Sequence, residues 1–242
     1  MIYHESVKLT ERFYCYVWRG QGNNSNAILW PSVLRGERPH VLIDPGHIRN
    51  ELGEPCFDSL VQAMGKDGFK MKDIGLVIAT HSHLDHIEAT ELVVEKSGAL
   101  YTLSREEDEF YRKVGKAFFQ SFGGKPLQVE PFFYLKPGDL SLGAKDNKLA
   151  VKVFVTPGHS PGSICLYLEE DKILVTGDVV FAGSVGRTDL PGGSSSLLRR
   201  SIDELSHLDV EYLVAGHNAG MGSIIAGKDK VKRNFYTVKM FI

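Results

Sequence analysis

Three histidines and an aspartate lie within six consecutive residues of this chain, in the segment His81–His86. The segment follows the apolar run Ile74–Ala79, which is typical of a buried strand. Histidine is the commonest metal ligand, and three imidazoles this close together would repel one another if protonated. The spacing therefore predicts a metal site. Asp85 and Glu88 also resemble the N-cap and partner of a helix that begins near His86, a role compatible with metal binding.

Three further candidate ligands each follow a predicted strand that ends in a glycine-containing turn. They are His159 after Val151–Val155, Asp178 after Ile173–Thr176, and His217 after Tyr212–Ala215. Taken singly, each of them could be an ordinary turn residue. Polar residues at the same end of neighbouring strands can converge, however, and α/β proteins build their sites at such edges.

The seven candidate ligands divide into two adjacent sites. In extended backbone, residues two apart point to the same side, so His81 and His83 can approach one ion together. Asp85 and His86 lie where the chain turns into the next helix and face a neighbouring point. The first site then contains His81, His83 and His159, the second contains Asp85, His86 and His217, and Asp178 bridges the two.

Such a two-metal centre has a charge suited to hydrolysis. Two divalent ions, two carboxylates and a bridging hydroxide leave about one positive charge, which can polarise a carbonyl or hold an anionic group. Metal binding also lowers the pKa of water to about 7. The chain has no nucleophile elbow, phosphate-binding glycine loop or dinucleotide fingerprint. Hydrolysis by a metal-bound hydroxide, with Asp85 and Asp178 as the catalytic carboxylates, is therefore the first hypothesis.

The elements that must position these side chains fall into two similar halves. In the first half, the sequence pattern predicts strands at Ala27–Trp30, Val41–Asp44, Ile74–Thr80 and Ala99–Leu103, and helices at Asp58–Met64 and Ile87–Lys96. Ser104 and Glu107 form a capping-box signature for a helix that runs to about Val114. The stretch Gly115–Pro131 lacks periodicity and is predicted to be a long connection.

The second half is rich in predicted strands. The pattern predicts them at Phe132–Leu135, Leu149–Thr156, Ile164–Leu168, Lys172–Thr176 and Glu211–Ala215, with helices at Ser194–Leu205 and near the C-terminus. Strands followed by helices in both halves predict sheets covered by helices, in a layered α/β sandwich. No linker or low-complexity run interrupts the chain, so a single domain over residues 1–242 is expected.

Composition is that of an ordinary soluble globular protein, with 43% apolar and 24% charged residues among 242. A net charge of −2 gives no electrostatic reason to expect nucleic acid or an anionic membrane as a partner. The sequence has no apolar run long enough for a spanning helix and no signal-peptide pattern at Met1–Arg12. The three cysteines are far apart and fit reduced, buried thiols in a cytoplasmic protein: Cys15, Cys56 and Cys165.

The HxHxDH element at His81–His86, followed in order by His159, Asp178 and His217, resembles the metallo-β-lactamase superfamily. The resemblance extends from Asn26 to about Asn218. It implies an α/β fold that is a four-layer αββα sandwich, with the metal site in a cleft at the edges of the sheets. It also implies the same division of the seven ligands between two ions.

The segment Gly186–Asp189 narrows the resemblance to a glyoxalase II-like branch that includes persulfide dioxygenases, since it is similar to their Gly-Arg-Thr/Ser-Asp element. Genuine glyoxalase II enzymes usually carry Gly-Lys-Phe nearby and a helical glutathione-binding domain after the last ligand. Only 25 of the 242 residues follow His217, too few for that domain. Arg187 could pair with Asp189 to fix the loop or could clamp a substrate carboxylate, and the structural role is favoured slightly.

The resemblance implies a metal-dependent hydrolase that acts on a small-molecule thioester or related ester. Two divalent ions are expected, with zinc favoured and iron or manganese as alternatives. The alternative function is a persulfide dioxygenase, which by resemblance would hold one iron at His81, His159 and Asp178. A scaffold without catalysis is a third class, disfavoured because the ligand set is complete. A homodimer is left open.

Five other polar residues are weighed as accessory groups. His4, His40, His47 and His207 have no comparable setting and are expected at the surface or behind the ligands. Asp44 follows a predicted strand and precedes Pro45-Gly46. It is equally compatible with a simple turn and with a group that orients a ligand histidine.

Overall fold

The computed structural model describes residues 2–121, 123–144 and 147–242 of the chain. The first half forms a seven-stranded sheet whose strands lie in chain order. They are β1 (His4–Thr10), β2 (Phe13–Trp18), β3 (Ala27–Trp30), β4 (His40–Ile43), β5 (Ile74–Ile78), β6 (Leu100–Ser104) and β7 (Phe133–Leu135). Strands β1 to β4 pair antiparallel, whereas β4 to β7 pair parallel.

Helices supply the crossovers that the parallel strands require. They are α1 (Cys56–Lys66), α2 (Leu84–Ile87), α3 (Thr90–Ser97), α4 (Arg105–Phe110) and α5 (Lys116–Ser121). A π-helical turn at Tyr111–Gly115 joins α4 to α5. The helices bury one face: in α1, Leu60, Ala63 and Met64 lie one turn apart and are all buried. Among the described residues, no helix combines the length and apolar character needed to cross a bilayer.

The second half forms a six-stranded sheet in the order β13-β12-β11-β10-β9-β8. Its strands are β8 (Gly138–Ala144), β9 (Asn147–Val155), β10 (Ile164–Leu168), β11 (Ile173–Gly177), β12 (Tyr212–Ala215) and β13 (Ile224–Ala226). Only β11 and β12 pair parallel in this described sheet, and α6 (Ser195–Leu205) is the crossover between them. Helix α7 (Lys228–Val238) follows β13.

The two sheets pack against each other through a shared apolar core. Ile43 of β4 and Ile78 of β5 belong to the same buried cluster as Leu166 of β10 and Val175 of β11. The opposite faces of the same strands are also buried, because helices cover them. Two further clusters contain these outer faces: Leu42 and Val77 with Leu60 of α1, and Leu174 and Leu213 with Leu198 of α6.

The result is a four-layer αββα sandwich, as the sequence predicts. Strands buried on both faces have continuous apolar sequences, which is why patterning locates β4, β5, β10 and β11 well.

Two predicted elements differ from the structure, and four strands were not predicted. The predicted connection Gly115–Pro131 begins with helix, because the π turn continues α4 into α5 as far as Ser121. The predicted helix Ile87–Lys96 is two helices, since α2 ends at Ile87 and α3 begins at Thr90. The hairpin β1–β2 and the edge strands β8 and β13 were not predicted. Strand β1 lies at an edge and exposes several polar side chains, so it lacks the apolar run of a central strand.

Candidate metal centre

The candidate ligands lie at the ends of strands that run in the same direction within each sheet. His81 and His83 follow β5, and His159 follows β9. Asp178 directly follows β11, and His217 lies two residues after β12. Strands β9, β11 and β12 run the same way, because β10 is antiparallel to both β9 and β11 and β12 is parallel to β11. The side chains therefore meet at one edge, between the two sheets.

Three imidazole nitrogens converge in what we call the three-histidine group, formed by His81, His83 and His159. His83 Nδ1 lies 3.1 Å from His81 Nε2 and 2.8 Å from His159 Nε2. All three rings are buried, with at most 9% of each residue exposed. Two of the nitrogens come from the first sheet's loop and one from the second sheet's, so the group exists only because the sheets pack together.

Hydrogen bonds on the far side of two of these rings fix where their protons lie. The Thr80 hydroxyl donates to Asp44 Oδ2 at 2.6 Å, so it must accept from His81 Nδ1–H at 3.1 Å. His159 Nδ1–H donates to the carbonyl of Arg187 at 2.8 Å. In the neutral rings Nε2 then carries a lone pair, and both lone pairs face the same point. This is the arrangement that a metal ion requires.

The surroundings also favour the neutral form of His81 and His83. Burial lowers the pKa of His81 well below its usual value, and the nearby rings of His86 and His83 lower it further. Burial, followed by the neighbouring ring of His159, lowers the pKa of His83 to about 4. Neutral imidazole is the form that binds metal, so the group is ready to bind a cation at neutral pH.

A second set, which we call the mixed group, contains Asp85, His86 and His217. His217 Nε2 lies 3.0 Å from Asp85 Oδ2 and 3.1 Å from His86 Nε2. Burial acts to lower the pKa of His86, but the carboxylates of Asp178 and Asp44 outweigh it and hold the pKa well above its usual value. Burial is likewise outweighed at His217, where Asp178 and Asp85 raise the pKa to about 10. The potential at this point is negative, as a cation site requires.

Asp178 lies between the two groups. Its Oδ1 is 3.2 Å from His86 Nε2, and its Oδ2 is 3.5 Å from His159 Nε2 and 3.4 Å from His217 Nε2. Within the described part of the chain, no group donates a hydrogen bond to the buried Oδ1. A buried carboxylate oxygen that has no hydrogen-bond donor and lies beside an imidazole nitrogen fits a cation. A side chain at Gly216 would come within 2.3 Å of this oxygen, so only glycine allows the approach.

Asp44 orients His86 from behind. Its Oδ2 accepts from His86 Nδ1–H at 2.8 Å, and its Oδ1 accepts from the backbone N–H of Thr80 at 2.8 Å. The Asp44 backbone has a φ of +49°, a conformation that costs energy for a residue with a side chain. Of the two interpretations that the sequence leaves open, the orienting role is the one that the structure bears out.

Glu107 lies behind the three-histidine group, although its sequence pattern indicates only a helix cap. Its fully buried carboxylate accepts hydrogen bonds from Ser82, Ser160 and Gly162. The predicted capping box is half present, because the Ser104 hydroxyl accepts from Glu107 N–H at 3.1 Å. The Glu107 side chain instead points to the ligand loops. The helix-cap pattern gives no indication that the Glu107 side chain would bond to the loops that carry the histidines.

The other histidines lie outside both groups. His207 is exposed, whereas His4, His40 and His47 are buried, not at the surface. His4 contacts Ser59, His40 Nδ1 accepts from the backbone N–H of Ser32, and His47 contacts Glu88. Glu88 thus pairs with His47 and does not complete a capping box with Asp85.

Arg187 pairs with Asp189, as the structural interpretation expected. Its Nε and Nη2 donate to the Asp189 carboxylate at 3.0 and 2.8 Å, and both side chains are about two-thirds exposed. The three cysteines are free and buried, as predicted.

A polar cleft of about 550 Å³ opens beside the mixed group. His217 is one of its lining residues, and the loop from Trp18 to Asn24 forms one wall. Asn23 Nδ2 donates to Asp85 Oδ2 at 2.8 Å, so this wall reaches the candidate ligands directly. Exposure of the ligand side chains rises toward the cleft, from 0% at His86 to 14% at Asp85 and 18% at His217. A small molecule would therefore reach the centre from this side.

The fold and the site define an αββα protein whose histidine and carboxylate cluster can hold divalent metal. The family model described as the metallo-beta-lactamase superfamily matches residues 30–217. The chain belongs to the metallo-β-lactamase superfamily, which confirms the resemblance drawn from the sequence.

Similar proteins include several metallo-hydrolases. A probable metallo-hydrolase of Methanocaldococcus jannaschii is 32% identical over 206 residues, covering 82% of this chain and 89% of that protein. The hydroxyacylglutathione hydrolase GloC of Haemophilus influenzae is 29% identical over 187 residues, covering 76% and 82%. Among solved structures, TTHA1623 in a di-iron-bound form is 28% identical, with a TM-score of 0.65 and coverage of 89% and 98%.

Proposed function

We propose that this protein hydrolyses a small-molecule thioester or related ester with the help of two divalent metal ions. The observation that carries the proposal is the convergence of imidazole lone pairs and the unpartnered Asp178 oxygen at the end of an open cleft. The membership of a hydrolase superfamily and the named metallo-hydrolase relatives support it.

The proposed ligands are the seven side chains that the sequence singled out. One ion would be held by His81, His83 and His159, the other by Asp85, His86 and His217, with Asp178 shared. Zinc is the favoured metal because the sites offer mainly imidazole nitrogens, which suit it well. Iron also binds imidazole and carboxylate, and the related TTHA1623 in its di-iron-bound form supports it as the alternative.

Divalent ions in such a site would polarise the substrate carbonyl and lower the pKa of water to about 7. The chain's own residues supply the rest. Asp178 Oδ2 faces the point between His159 and His217, so it is placed to accept a hydrogen bond from an attacking water and to orient it. The proton that this water loses passes to solvent through the open cleft, and the thiolate released when the thioester bond breaks takes a proton from solvent. Asp85, fixed by Asn23 at the cleft, supplies the second negative charge.

A thioester is the proposed substrate class for two reasons. The Haemophilus influenzae relative is named for hydroxyacylglutathione, whose acyl group is held as a thioester. The cleft beside His217 is lined by polar residues and is large enough for a small acyl thiol. The acyl group and the thiol are to be found by experiment.

The test is a panel of lactoyl and acetyl thioesters of glutathione, coenzyme A and small thiols, assayed with zinc- and iron-loaded protein. We expect turnover of at least one member, loss of turnover in EDTA, and loss of both metal and activity in Asp178→Ala. Asp139→Asn, on the exposed strand β8, is the matched surface control. Protein that is fully metal-loaded and inert across the panel would contradict the proposal. Oxygen consumption by the iron-loaded protein in the presence of glutathione persulfide would instead support the alternative function, a persulfide dioxygenase.

A further inference from the structure

The Glu107 carboxylate has four hydrogen-bond donors and no cationic partner among the described residues. Its Oε1 accepts from the backbone N–H of Ser82 at 2.9 Å and from the Ser82 hydroxyl at 2.7 Å. Its Oε2 accepts from the Ser160 hydroxyl at 2.7 Å and from the backbone N–H of Gly162 at 2.8 Å. An ionised carboxylate offers about four lone-pair positions, so the donor set fills them all. Hydrogen bonds alone thus compensate this fully buried charge.

The donors belong to the two loops that carry the three-histidine group. Ser82 lies between His81 and His83, and Ser160 directly follows His159. Glu107 bonds to residues 25 positions before it and 53 and 55 positions after it, and so ties a loop of the first sheet to a loop of the second.

Helix α4 approaches the second loop closely enough to make this tie rigid. A side chain at Gly162 would lie 2.2 Å from the backbone nitrogen of Glu107, so only glycine permits the contact. The Ser104 hydroxyl, which caps α4, also donates to the carbonyl of Gly162 at 2.6 Å. Gly162, in the loop that carries His159, is therefore held by hydrogen bonds at both its N–H and its C=O.

We propose that Glu107 is a positioning residue that sets the distance between His83 and His159 and so the affinity of the three-histidine group for its metal. Asp44 orients His86 by a direct hydrogen bond to its imidazole. Glu107 would instead act on the backbone and serine hydroxyls of the loops that carry the histidines. The inference rests on the proposed function only in that metal must bind at these histidines.

Glu107→Gln tests the proposal because it keeps the size of the side chain and removes its charge. One end of the amide would then present N–H groups to a backbone N–H, which cannot accept, and to a serine hydroxyl, which would have to give up its present hydrogen bond. At least one loop is then held less firmly. We expect the affinity of one of the two ions to fall by about 10- to 100-fold, the range seen when groups behind metal ligands are lost. The other ion should bind as in the wild type. Zinc and cobalt titrations against a competing chelator, with the cobalt spectrum to identify the altered ligand set, measure this.

Two matched variants make the result specific. Glu106→Gln changes the exposed neighbour on the same helix and should leave both affinities unchanged. Asp44→Asn should weaken the ion of the mixed group more than the other, because Asp44 contacts His86 directly and reaches His81 only through Thr80. If Glu107→Gln does not fold, Ser160→Ala removes one donor and should weaken the same ion by a smaller factor.

The outcomes separate this inference from the proposed function. Wild-type protein that binds no metal would contradict the proposed function. Wild-type protein that binds two ions, together with a Glu107→Gln variant of unchanged affinities, would overturn only the role of Glu107. Equal weakening of both ions with a lower Tm of the metal-free variant would also overturn it, because Glu107 would then be a general stabilising residue.

Discussion

At the scale of single residues, metal binding at the candidate centre would depend on which nitrogen of each buried imidazole carries the proton. Thr80 and the Arg187 carbonyl accept from the far nitrogens of His81 and His159, and Asp44 accepts from that of His86. Each ring therefore turns a defined nitrogen toward the cluster. None of these acceptors belongs to the HxHxDH element itself.

The buried His4 makes a testable contribution to the pH dependence of stability. Ser59 Oγ accepts two backbone N–H groups and so donates its own proton to His4 Nδ1, at 3.0 Å. Burial lowers the pKa of His4 to about 3. Between pH 6.5 and about 3 only the unfolded state binds this proton, so stability is complete above pH 6.5 and falls as the pH falls.

We expect His4→Asn to remove about 1.4 kcal/mol per pH unit from the slope of unfolding free energy against pH between about pH 6 and 4. Asparagine keeps an acceptor for Ser59 but does not titrate. Urea unfolding across this range measures the slope, and the difference from the wild type cancels groups that both proteins share. The exposed His207→Asn is the control. Equal slopes in wild type and His4→Asn would contradict the assignment.

The seven candidate ligands could be found from sequence because each is an unusual residue in a recognisable place. The groups that orient them could not. The Arg187 carbonyl has no sequence signature, and Glu107 matched a helix-cap pattern that gave a sufficient local reason for its presence. The sequence does not decide the role of Asp44, because its contacts with Thr80 and His86 join segments that are 36 and 42 residues apart in the chain.

At the scale of elements, the loop after β11 combines an exposed ion pair with a backbone contact to the site. The Arg187 side chain faces Asp189 in solvent, while its carbonyl accepts from His159. Solvent screens a pair this exposed, so it adds little to stability. The loop can therefore lose the side chain and still orient the histidine.

We expect Arg187→Ala to leave the free energy of unfolding, kcat and KM close to their wild-type values. Asp189→Asn, which breaks the same pair, should behave alike. Chemical denaturation and steady-state kinetics on the thioester found in the panel measure both. A raised KM in Arg187→Ala at unchanged kcat would instead identify the guanidinium as a substrate clamp.

Elements buried on both faces were predicted well, and those at edges or in irregular helix were not. The apolar runs of β5 and β10 need no tertiary information. Strand β1 depends on tertiary information because it pairs at a sheet edge. The helix Lys116–Ser121 depends on it because this helix continues α4 through a π turn that no residue pattern marks.

At the scale of the whole molecule, the apolar core and the metal centre are separate. The core cluster between the sheets is formed from side chains such as Ile78 and Leu166, whereas the ligands lie beyond the strand ends. The fold should therefore survive without metal, and bound metal should add to its stability.

We expect metal removal by EDTA to abolish hydrolysis and lower Tm while the far-UV circular dichroism stays unchanged. Zinc at about 100 times its Kd should restore about 2.7 kcal/mol for each ion that binds only the folded state. Thermal unfolding over a zinc series measures this, with magnesium as the control cation. A Tm that does not depend on zinc would contradict metal binding at the folded site.

Both candidate groups span the two sheets, and this has a kinetic consequence. His83 and His159 are 76 positions apart, and His86 and His217 are 131 apart. Each ion would join two residues that are far apart in the chain. It could bind them both only after the two sheets have packed together, a step whose loop-closure entropy opposes folding. Metal that arrives after this step leaves the refolding rate unchanged and slows unfolding. The ions would then determine the lifetime of the native state and not the rate at which it forms.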